Sequence, residues 1–141
     1  MIEGPVTLPT PLTILVSRAL NLCELILLNN QAFYPFAAIY ENGKVGCLFT
    51  DENEERTNES QLIEQLQWRI IDTTTDSNSY SILVYAATVQ TRKNKSMDAI
   101  AINTASPNDE EGLLLYPYYR VGEKIVISPP ISTKTEKTTP P

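Results

Sequence analysis

Asp98 and the run Tyr116-Pro117-Tyr118-Tyr119-Arg120 are where the side-chain types of this chain could carry chemistry. An Asp opening an apolar segment, here DAIAI from Asp98 to Ile102, can be a buried acid with a raised pKa. The plainer account is an Asp that bonds the backbone of the turn before it. Tyr and Arg are enriched among interface anchors, so Tyr116, Tyr118, Tyr119 and Arg120 form a candidate interaction surface. Strand alternation gives a packing account instead: Tyr116 and Tyr118 share one face with buried rings and wet hydroxyls, and Tyr119 takes the other.

Several chemistries are excluded. The chain has no histidine, which removes the commonest general base near neutral pH and any Ser-His or Cys-His hydrolytic pair. Cys23 and Cys47 stand too far apart in sequence to supply a four-ligand zinc site, so no metal or cofactor is expected. Asp51-X-Asn53-X-Glu55 has the opening spacing of a calcium loop. Arg56 stands where that loop requires Gly, however, and Leu62 where it requires a bidentate Glu. This run and Asp109-Glu110-Glu111-Gly112 read as solvated acidic loops, and Arg92, Lys93 and Lys95 as a charged hairpin tip without interleaved aromatics. A net charge of -6 opposes nucleic-acid binding, which needs concentrated Lys and Arg.

The elements that must position these residues follow from periodicity. Thr10 can cap a first helix with Pro11 at its first position, running to about Leu28 and stopped at Asn29-Asn30 by a left-handed residue. Leu12, Leu15, Val16, Ala19, Cys23, Ile26 and Leu27 belong to a broad apolar arc. Ile14, Leu25 and Leu28 fall outside it, more than one sheet face can cover. The centre of the fold is Phe33 to Thr50, two apolar runs about Asn42-Gly43. That pair favours a two-residue type I′ turn and so sets Glu41 opposite Lys44 through Phe36 opposite Phe49. Phe36, Ala38, Tyr40, Val45, Cys47 and Phe49 then share the core face.

A second helix starts at Thr57 or Asn58 and runs to about Asp72, with Leu62, Ile63, Leu66 and Ile70 as its buried stripe. Trp68 projects from its polar side, beside Gln61 and Glu64, and is a candidate interface anchor. Strands follow over Tyr80 to Thr91, Met97 to Asn103 and Leu113 to Arg120, with a short one at Lys124 to Ser128. Pro117 places its strand at an edge or a bend. The leader Met1 to Gly4 lacks the basic residues of a signal peptide, and Arg18, Asn21 and Glu24 interrupt the apolar first helix. The chain therefore reads as soluble and cytoplasmic, not membrane-bound, with reduced cysteines packed on apolar faces.

The expected fold is α+β, a single antiparallel sheet of about five strands with two helices packed on it, in the order α-β-β-α-β-β-β. It forms one domain over residues 1–130, followed by a mobile Thr/Lys/Pro-rich tail over 131–141. FYPFAAIYENGKV at Phe33 to Val45, SQLIEQL at Ser60 to Leu66, DAIAI at Asp98 to Ile102 and YPYY at Tyr116 to Tyr119 resemble, in that order, a family of small uncharacterised bacterial proteins. The resemblance implies a bacterial α+β protein and brings no activity. Where such proteins often carry a Glu-His pair after the DAI strand, this chain has Asn103-Thr104-Ala105.

The functional expectation is a non-catalytic intracellular binding module, acting as a homodimer or on a protein partner. It rests on the absent histidine, the wide apolar arc of the first helix, and Trp68. One alternative is a small-ligand binder or enzyme using Asp98 with Tyr116 or Tyr118 in a cleft beside the sheet. Another is an immunity-type protein that neutralises a partner.

Overall fold

The computed structural model describes residues 8–29, 33–49, 59–74, 78–90, 95–107 and 110–133. The element order is α1 (Thr10–Leu28), β1 (Phe36–Glu41), β2 (Lys44–Phe49), α2 (Glu59–Thr73), β3 (Tyr80–Gln90), β4 (Ser96–Ala105), β5 (Glu111–Val121), β6 (Lys124–Ile127) and β7 (Ile131–Thr133). The fold is α+β with an antiparallel sheet ordered β2-β1-β3-β4-β5-β6, and β7 also pairs with β5. The acidic loop Asp51 to Arg56, the helix-cap candidates Thr57 and Asn58, the tip residues Arg92 and Lys93, and Asp109 lie outside the described residues.

The β1-β2 register is the one the Asn-Gly turn dictates, from Glu41 opposite Lys44 to Phe36 opposite Phe49. Asn42 at φ 54° and Gly43 at φ 75° hold the positive angles that a type I′ turn needs. β1 continues the sheet by pairing with β3, and β3, β4 and β5 form a meander.

The two helices lie on opposite faces. α1 packs over β1, β3, β4 and β6, and its buried Leu12, Leu15, Val16, Ala19 and Cys23 meet Phe36, Ala38, Ile82, Val84, Ile100, Ile102, Leu114 and Tyr116. Full burial of one such leucine stabilises by about 1.5–3 kcal/mol, so this layer dominates the core. α2 packs over β1, β2 and β3, with Leu66 against Ala37 and Leu83 and with Ile63, Ile70, Leu48 and Tyr85 around them. Each helix thus takes one parity of the strands, and both faces of β1 are buried.

Several expectations are corrected. Cys47 is exposed and Phe49 is 54% exposed: they lie on the α1 face, but on the edge strand β2 it is Val45 that packs against the α1-side core. Helix α1 begins one residue early, with Pro9 as the flanking residue and no side-chain cap. Pro11 still falls in the first turn, where its missing N–H costs nothing. Asn29 ends the helix at φ -90°, and its side-chain amide donates to the Leu25 carbonyl at 2.8 Å; Asn30, the other residue of the expected left-handed stop, lies outside the described residues.

β5 is no edge strand, since it lies between β4 and the β6-β7 segment. β6 and β7 together make one edge, with Tyr118 opposite Ile127 and Leu115 opposite Ile131. The edge strand thus carries one extra residue there, a bulge. Ser128 N–H donates to the Pro117 carbonyl at 2.8 Å, so Pro117 turns its donorless nitrogen toward that bulge. The sheet bends its neighbour around the proline and keeps it inside. The chain expected to leave the fold at Pro130 pairs onward through Thr133, so β7 is the strand added to those expected; residues 134–141 lie outside the described residues.

Candidate functional site

The site grows from the side of α2 that does not face the core. Ser60, Glu64, Gln67, Trp68 and Ile71 recur at three- and four-residue intervals and form one stripe along the helix. Opposite them, alternate positions of the sheet turn the same way: Ser81 and Leu83 of β3, Asn103 and Ala105 of β4, and Glu111 at the start of β5. α2 lies over β1, β2 and β3 and leaves β4 and β5 beside it. The gap is a cleft of about 830 Å³ lined by these residues, with Ile63 and Ile70 among them.

Its surface is mainly apolar, and its rim explains the tryptophan on a polar helix face. Trp68 is 60% exposed and Ile71 61% exposed, and both line the cleft. Glu64 stands on the helix wall and Glu111 on the sheet wall, while no Lys or Arg lines the cleft among the described residues. Gln67, Asn103, Ser60 and Ser81 supply neutral hydrogen-bonding groups.

The residues singled out in the sequence divide between the two faces. Trp68 belongs to the cleft, while Tyr116, Tyr118 and Asp98 have the parity of the α1 face. Tyr116 is buried in the α1-side core, and burial pushes its phenol above the usual range. Tyr118 is half-buried; burial raises its phenol first, and the neighbouring Asp98 carboxylate and Cys23 thiol add to the rise.

Asp98 is itself exposed, not a buried acid, because its end of β4 runs out beyond the buried segment Ala99 to Ile102. Tyr119 is exposed, and the Arg120 guanidinium donates to the Leu27 carbonyl at 2.7 Å. That bond satisfies one of the carbonyls left free at a helix C-terminus. The five-residue aromatic run therefore ties β5 to α1 and does not present one continuous surface. Of Asp98 and Tyr116, only Tyr116 is enclosed in the core.

Sequence reasoning missed Glu64, Gln67, Ser81, Asn103 and Glu111. The signal available was Glu64, Trp68 and Ile71 on one helical stripe, with two large apolar groups where solvent was expected. Comparison with protein-family models, with curated proteins and with solved structures finds no match.

The thiols give a direct check on the faces. Cys23 is buried and its thiol is pushed up to about 12 by burial, whereas Cys47 is exposed. Ellman's reagent should titrate one thiol in the native protein and the second only on unfolding. The raised Cys23 value also fixes a pH dependence. Its contribution to stability is complete below the unfolded thiol's value of 9.0 and is lost as pH rises from there toward 12, at up to about 1.4 kcal/mol per pH unit. Cys23→Ala should flatten that part of the alkaline denaturation profile.

Proposed function

We propose that this chain is a soluble, non-catalytic binding protein and that the cleft beneath α2 is where it binds. The observation that carries the reading is the coincidence of Trp68 and Ile71, both more than half exposed, on the wall of one apolar cleft. Leaving two large apolar groups in water forgoes stability that burial against a ligand would recover. Absence of histidine and the exposure of Asp98 weigh against catalysis. A cytoplasmic location is part of the proposal. α1 is long and apolar enough to cross a membrane, but its buried leucines would have to leave the sheet to do so.

The test is binding of the neutral solvatochromic dye Nile red. Wild type should enhance and blue-shift its emission, and Trp68→Ala with Ile71→Ala should weaken binding by about tenfold, with the melting temperature nearly unchanged. Equal binding by the double variant sinks the cleft as the site.

Self-association through the same rim is a second reading, favoured by the exposure of Trp68. Strand addition is the poorer route to a dimer, because each sheet edge is blunted along part of its length. In the two-residue hairpin, Val45, Cys47 and Phe49 turn their backbone groups away from β1. Arg69 already donates to the Phe49 carbonyl at 2.7 Å. The other edge carries the bulge and Pro129-Pro130. Sedimentation equilibrium on wild type and Trp68→Ser decides the matter: a dimer that the substitution dissociates makes the rim a homodimer interface.

A further inference from the structure

We propose that the cleft beneath α2 takes a small organic cation with an apolar body, an inference that rests on reading the cleft as the binding site. Size comes first: about 830 Å³ falls within the roughly 300–1,000 Å³ of small-molecule clefts. Charge comes second. Glu64 and Glu111 face the space from opposite walls, and among the described residues no lining cation offsets them. An anion would lose hydration against two like charges, whereas an ammonium or guanidinium gains from both.

The third ground is the aromatic wall. The indole of Trp68 is more than half exposed at the cleft, and an indole face attracts cations through its quadrupole more strongly than other rings. Ile63, Ile70, Ile71 and Leu83 give the apolar body a complementary surface. The net charge of -6 over the whole chain adds a field of the same sign, which raises the encounter rate of cations. It also sets a second copy of this chain against itself.

Trp68 is the one tryptophan of the chain, so its indole N–H resonance in a proton–nitrogen correlation spectrum reports on the cleft alone. The probes are phenylbutylamine, phenylbutanol and phenylbutyrate, one apolar body carrying positive, zero and negative charge. The amine should bind about tenfold tighter than the alcohol, ~1.4 kcal/mol, and the acid more weakly than either. Added salt should weaken the amine and leave the alcohol.

The double variant Glu64→Gln with Glu111→Gln, both exposed positions, should bring the amine's affinity down to the level of the alcohol's. If the alcohol or the acid binds wild type as tightly as the amine, the cationic inference is overturned while the cleft stands as a binding site. If neither the three probes nor a Leu-Lys-Leu-Lys peptide moves the Trp68 resonance at millimolar concentration, the reading of the cleft itself is overturned. A Leu-Lys-Leu-Lys peptide that shifts Trp68 where the amine does not would assign the site to a protein partner and overturn the small-ligand proposal.

Discussion

Replacing Leu15 by alanine is expected to remove about 3–5 kcal/mol of folding stability, measured as a lower urea midpoint with the slope unchanged. Leu15 has no exposed surface and belongs to the cluster that joins α1 to Phe36, Ile82, Val84, Ile100 and Ile102. Truncation removes the burial of about three methylene equivalents and leaves a space that the helix cannot close, because its neighbours are held by strand pairing below. Against a total of about 5–15 kcal/mol for an ordinary domain, this single change takes a large share. The control is Leu25→Ala on the same helix. Leu25 is 57% exposed, so its truncation should change stability by no more than about 0.5 kcal/mol. Comparable losses at the two positions would mean that α1 does not rest on the sheet by the face assigned to it.

The parts of this fold that were legible in the sequence are those set by local chemistry. Asn42-Gly43 accepts positive φ, the turn length follows, and all six β1-β2 pairs follow from the turn. The apolar stripe Leu62, Ile63, Leu66 and Ile70 likewise marks the buried side of α2, where Leu62 and Leu66 are buried outright. What a helix covers is not local information. Ala37 and Ile39 alternate against Phe36 and Ala38, and all four are buried, so pattern along β1 cannot say that one helix lies above and another below. Pro117 misled for a related reason. Its missing donor is accommodated by a bulge in the neighbouring strand, a property of the partner and not of its own strand. The cleft is less legible still. It exists because α2 crosses β1 to β3 and stops short of β4 and β5, and Glu64 and Glu111 meet only after the β3-β4-β5 meander has formed.

Leu66→Ala should produce the second large effect, about 2–4 kcal/mol, and its character should differ from that of Leu15→Ala. Leu66 has no exposed surface, and among the described residues it is, with Ala37 and Leu83, one of three buried residues in the α2-side cluster. The α1-side cluster is far larger. α2 is therefore the more weakly held layer, and truncating its central anchor should free it before the sheet and α1 unfold, as sub-global opening. Trp68 rides on α2, so its fluorescence reports that release directly. In urea, the Trp68 transition of the variant should precede the far-ultraviolet circular dichroism transition, whereas in wild type the two should coincide. Since α2 is one wall of the cleft, any ligand bound there must also hold the helix down. Its apparent affinity falls in proportion to the docked fraction, and a saturating ligand should bring the two transitions of Leu66→Ala back together. Coincident transitions in the unliganded variant would show instead that α2 and the sheet unfold as one unit, and that the wall of the cleft is as firm as the core beneath α1.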